Sequence, residues 1–96
     1  MVQFDDGALA EICRRNQVAR LRVFGSASRG EERPESDIDM LVDFATPIGF
    51  FELIRLEDEL EAFFGRAVDV VTEPGLSPDL RHAILTDASV IFDAAA

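Results

Sequence analysis

Ninety-six residues leave room for one domain with a single core and no second module. A hydrophobic share of 48% beside 29% charged residues is that of a soluble globular chain and excludes a disordered one. The formal net charge is −10, with nine arginines and no lysine. That balance lacks the basic footprint of a general nucleic-acid binder, so no stable nucleic-acid binding is expected. It suits a basic protein partner, or a site that imports positive charge as metal ions. Cys13 is the one cysteine, which rules out an internal disulfide framework and points to a cytoplasmic compartment. No apolar run approaches a membrane span, and the N-terminus has no signal-peptide pattern.

In chain order, residues 5–16 read as a short helix, with Asp5 or Asp6 placed to accept its first free N–H groups. Leu9, Ile12 and Cys13 form its apolar stripe. Val18 to Phe24 alternates with period two, a strand, and Gly25-Ser26 ends it in a sharp turn toward a helix. Glu31 to Ser36, polar and containing Pro34, is expected to be a loop. Ile38 to Phe44 reads as a central strand with Asp37, Asp39, Leu41 and Asp43 on one face. From Gly49 to Phe64 the period becomes helical, gathering Leu53, Leu56, Leu60, Phe63 and Phe64 on one side, and Gly65 stops the helix. Phe51 falls among the polar residues, either as a partner contact or packed on the 45–49 loop. Ala67 to Val71 is a third strand, Thr72 to Pro78 a turn-rich connection, and Pro78 to Ala88 a helix with Leu80 and Ile84 inward. Ser89 to Phe92 is a last short strand. This order implies one α/β (α+β) domain over residues 1–96, a small mixed sheet flanked by helices.

The chemistry concentrates between Val23 and Phe44. Free N–H groups at a helix start favour a phosphate, Gly25 lets a ligand approach the backbone, and the Ser26 hydroxyl adds a donor. The plainer reading is an ordinary strand-to-helix turn. Asp37 and Asp39, two residues apart on a strand, have Cα atoms about 6.6 Å apart and point the same way. Two ionised carboxylates brought to about 4 Å repel by roughly 4 kcal/mol at an effective dielectric of 20. A bound Mg²⁺ offsets that repulsion; otherwise one aspartate caps a turn and the other faces solvent. Asp69 is costly to bury unpaired in the middle of AVDVV. If its strand neighbours 38–44, it joins the pair as a cluster able to hold two metals and to accept the proton of an attacking hydroxyl. If not, it lies on an edge strand facing water. Arg29 either neutralises a phosphate above the turn or pairs with Asp43 or Glu31. Arg20 and Arg22 share a face and could pair with acidic neighbours. His82 reads as a surface residue and Cys13 as core.

Gly25-Ser26, ten intervening residues, then Asp37-Ile38-Asp39 and a later strand acid, Asp69, resemble the signature of the nucleotidyltransferase superfamily that includes DNA polymerase beta. Phe24 to Gly30 and Ser36 to Val42 match its longer forms. The short chain, with TEPGLSPDL after the third acid, is similar to the minimal nucleotidyltransferases, the MNT antitoxins paired with HEPN-domain ribonuclease toxins. The resemblance implies a polymerase beta-like fold and an Mg²⁺-dependent transfer of AMP from ATP onto a toxin tyrosine. It implies that Gly25 and Ser26 hold the nucleotide phosphates, that Asp37 and Asp39 hold two metal ions, and that Asp69 completes the metal site as general base. It further implies a hetero-oligomer with the toxin. The chain contains no Tyr, so a tyrosine acceptor lies in trans. Two alternatives stay open: an antitoxin that neutralises by binding alone, or the catalytic subunit of a two-subunit small-molecule nucleotidyltransferase.

Overall fold

A computed structural model describes residues 4–25 and 37–95. Helix α1 (Asp6–Arg15) begins as its sequence dictates: the Asp5 carboxylate accepts the Ala8 N–H at 3.1 Å. Arg14 and Arg15 sit in its last turn, where the helix end is partly negative. Strand β1 (Val18–Phe24) and strand β2 (Ile38–Phe44) follow, then α2 (Phe50–Phe64). Gly65, at φ 68°, ends α2 in the left-handed turn expected of it. The chain continues through β3 (Val68–Thr72), a 3₁₀ turn (Glu73–Gly75), α3 (Pro78–Asp87) and β4 (Ser89–Asp93).

The four strands form one sheet in the order β3-β2-β1-β4. β1 runs antiparallel to β2 and β4, while β3 lies parallel to β2. A parallel neighbour needs a crossover, and α2 supplies it. The mixed α+β sheet expected from the alternation of patterns is the one found. β2 is interior, which explains its near-continuous burial.

The core lies on one face of the sheet. Leu21 and Val23 of β1, Ile38, Met40 and Val42 of β2, Val68 and Val70 of β3 and Phe92 of β4 all point there. Leu9, Ile12 and Cys13 of α1 and Leu56 and Leu60 of α2 close over them. Burial pushes the Cys13 thiol up to about 12, so it stays protonated as a small apolar core residue. Leu60 is fully buried at the centre of this layer. Leu60→Ala is therefore expected to lower the unfolding free energy by about 2–5 kcal/mol. Urea titration followed by circular dichroism checks this, and a loss below about 1 kcal/mol would mean that α2 is not docked as described.

Two expectations are corrected, and of the two open readings of Phe51 only the exposed one is kept. Leu80 is 58% exposed rather than inward, because only the later turns of α3 reach the end of β1. Phe51 is 82% exposed and not packed against the 45–49 loop; its ring meets Phe50 edge-on at 6.2 Å. β3 begins and ends one residue later than its apolar run, and part of the connection after it is 3₁₀. The helical turn after Gly25, the loop 31–36, Ser26 and Arg29 lie outside the described residues. Among the described residues, no helix is long and apolar enough to cross a membrane.

Candidate active site

The second face of the sheet carries the polar residues, and strand register decides which of them meet. Asp39 of β2 pairs with Phe24 of β1 on one side and with Asp69 of β3 on the other. Register partners on adjacent strands lie about 4.8 Å apart and point to the same face, so Asp39 and Asp69 stand side by side. β3 is also an edge strand and Asp69 is exposed, so both readings of that residue hold in part. Asp37, one residue before β2, is exposed, and Asp39 is half-buried between them.

The Asp39 carboxyl is held above the ordinary carboxylate range, first by burial and then by the negative charges of Asp69 and Asp37. This sets a sign for stability. A folded-state value raised above the unfolded one gives stability that is present below the unfolded value, ~3.9, and is lost as pH rises through the folded value. Asp39→Asn is therefore expected to melt higher than the parent at pH 7, with the difference shrinking as pH falls below ~4. Melting curves of both proteins across that range check it; a variant that melts lower at neutral pH would contradict the charge crowding.

Gly25 closes the site at the end of β1. Its φ is +69°, a conformation open to glycine and strained for other residues. A Cβ placed there would lie 2.8 Å from Oδ2 of Asp39, so the bare backbone is what lets this carboxylate sit against the turn. The Gly25 N–H donates to Oδ2 of Asp87, at 2.9 Å, from the last residue of α3.

The other end of the same face is an ion network rather than a site. Asp43 accepts from Arg20 and Arg22, each at 3.1 Å, so both arginines have the acidic neighbour the sequence offered. Arg22 also lies 3.9 Å from Glu73, which pairs with Arg81 of α3. His82 is exposed, as expected. Two connections were not legible in the motifs: the Asp87 contact to Gly25, and the Glu73–Arg81 pair that ties α3 to the segment after β3. An acidic residue closing a helix whose end is already negative was the available signal for the first.

The donor set fits a hard cation. Asp37, Asp39 and Asp69 offer only oxygen, and their mutual repulsion is what an added positive charge relieves. Among the described residues, no three acidic, His or Cys side chains are arranged as a ready-made metal cage.

A family model described as the nucleotidyltransferase domain matches residues 6–91. A Methanocaldococcus jannaschii protein whose name assigns it to the protein adenylyltransferases is 42% identical over 71 residues, 74% of this chain and 76% of that protein. The protein adenylyltransferase MntA of Thermococcus cleftensis is 38% identical over 77 residues, 80% of this chain and 78% of its own length. Among solved structures, a minimal nucleotidyltransferase matches with a TM-score of 0.76 and 42% identity, covering 88% of this chain and 86% of the other. A toxin–antitoxin structure containing AMP-PNP has the same TM-score at 22% identity, over 95% and 75% of the two chains. At that identity the likeness is one of fold.

Proposed function

The chain belongs to the nucleotidyltransferase domain family, in its minimal form, and on that premise we propose that it transfers AMP from ATP onto a hydroxyl of a HEPN-type ribonuclease toxin, silencing it. The acceptor we propose is a tyrosine of that partner. The observation that carries the reading is the register of Asp39 opposite Asp69 beside the bare Gly25 turn. Relatives named protein adenylyltransferase, at 42% and 38% identity, support the transferred nucleotide and a protein acceptor.

In this reading the acceptor oxygen attacks the α-phosphorus of ATP, a new P–O bond forms, and the bond to the β-phosphate breaks to release pyrophosphate. Asp69 is exposed at the sheet edge, where an incoming hydroxyl can reach it, and its carboxylate accepts the hydroxyl proton. Gly25 and Ser26 hold the nucleotide phosphates, and Arg29 offsets their charge. Asp37, Asp39 and Asp69 would hold Mg²⁺, which supplies positive charge to the phosphates when bound. The bare Gly25 backbone lets the Asp39 carboxylate sit against the turn that would receive the nucleotide phosphates. The acidic balance of the chain suits a basic, RNA-cutting partner in a hetero-oligomer.

The test is intact-mass measurement of the toxin encoded beside this protein, purified unmodified, after incubation with this protein, ATP and Mg²⁺. A gain of whole adenylyl units is expected, and tandem mass spectrometry then locates the acceptor. An unchanged mass with a tight complex would replace transfer by neutralisation through binding alone.

A further inference from the structure

Asp87 belongs to no motif, yet it reaches across 62 positions of sequence to the turn that ends β1. It is the last residue of α3, where the unpaired carbonyls of the helix already concentrate negative charge. A carboxylate there is unfavourable unless a donor from elsewhere meets it, and the Gly25 N–H does so at 2.9 Å. Gly25 is thereby held between two carboxylates. Asp87 binds its N–H, while Asp39 fills the space where a side chain would stand.

An open surface depression of about 500 Å³ is lined by both elements, Phe24 and Gly25 on one side and His82, Ile84, Thr86 and Asp87 of α3 on the other. The Asp87–Gly25 hydrogen bond joins its two sides. α3 is itself anchored, since Arg81 pairs with Glu73 in the 3₁₀ turn that follows β3. The strand carrying Asp69, the helix carrying Asp87 and the turn beside Asp39 are thus connected.

Resting on the nucleotidyl-transfer reading above, we infer that Asp87 is a positioning residue for that reaction. It acts through Gly25, by fixing the left-handed turn against Asp39, and does not touch substrate. A misplacement of about 1 Å in a reacting group costs on the order of a hundredfold in rate.

The test compares Asp87→Ala with Asp87→Asn, whose side-chain oxygen can still accept the Gly25 N–H. Asp87→Ala is expected to lower kcat/KM for ATP by roughly 10–100-fold at temperatures where the protein is folded. Asp87→Asn is expected to recover most of that loss. Wild-type activity in the Ala variant, or an Asn variant as defective as Ala, would overturn the role. Binding of a non-hydrolysable Mg·ATP analogue is measured in parallel, because it needs no protein acceptor. If the wild type binds the analogue but modifies no toxin, the toxin reading fails. Asp87 then stands or falls on whether Asp87→Ala weakens that binding. Should the Ala variant not fold, hydrogen exchange of the Gly25 amide in the wild-type protein decides: protection is expected, and exchange at the rate of an unstructured peptide would overturn the proposal.

Discussion

Asp39→Asn is expected to lower adenylyl transfer by about a thousandfold or more while leaving the fold intact. The substitution preserves the shape of the side chain and removes its charge. Asp39 is the interior member of the acidic group, paired in register with Asp69 and set against Gly25. A cation held there stabilises developing phosphate charge by several kcal/mol, and each ~1.4 kcal/mol is a factor of ten in rate. The fold has no reason to fail, because the charge that is lost is one its neighbours and its burial oppose. Steady-state transfer assays beside thermal melts separate the two effects. Retained activity in a folded Asp39→Asn protein would remove Asp39 from the mechanism, and with it the proposed metal site. A variant that cannot transfer yet still neutralises the toxin fully would instead show that binding suffices.

The parts of this fold that were legible in the sequence are those where one face is buried and the other is not. Leu9, Ile12 and Cys13 recur at helical spacing because α1 lies flat on the sheet. Ile38, Met40 and Val42 alternate with Asp39 and Asp43 because β2 has a core face and a face that carries its charges, with Leu41 buried between the two aspartates. Asp39 and Asp69 could be suspected of meeting, but the sequence left open whether their strands were neighbours. Register and strand order are tertiary facts, and a one-residue slip of β3 would turn Asp69 to the core. Leu80 departs from its expected inward position for a related reason. Its spacing to Ile84 suits an inward stripe, but α3 meets the sheet only at its later turns, and periodicity carries no record of where along a helix the contact falls. The Asp87–Gly25 bond joins a helix end to a strand end across most of the chain; the helix-end carboxylate signals the need for a donor, but no local pattern names Gly25 as that donor.

Gly25→Ala and Gly65→Ala separate backbone strain from site geometry, since the two glycines share one conformation at φ +69° and +68°. An L-residue in the left-handed region costs about 1–2 kcal/mol, so both variants are expected to lose about that much stability. At Gly65 nothing lies within 4 Å of the added methyl, and the residue caps α2 away from the acidic group. At Gly25 the methyl would meet Oδ2 of Asp39 at 2.8 Å, too close for any real contact. The obstacle is the end of a side chain, so the carboxylate can swing aside, and the fold survives at the expense of the site. Gly25→Ala is therefore expected to cut transfer by about a hundredfold or more, in keeping with the sensitivity of such geometry to about 1 Å, while Gly65→Ala stays near wild type. Denaturant titrations and transfer assays on the pair give both quantities. Equal stability loss with unequal activity loss would assign the effect to the Asp39 carboxylate. If activity fell equally in both, strain in the chain would be the cause, and the close approach of Gly25 to Asp39 would have no part in the reaction.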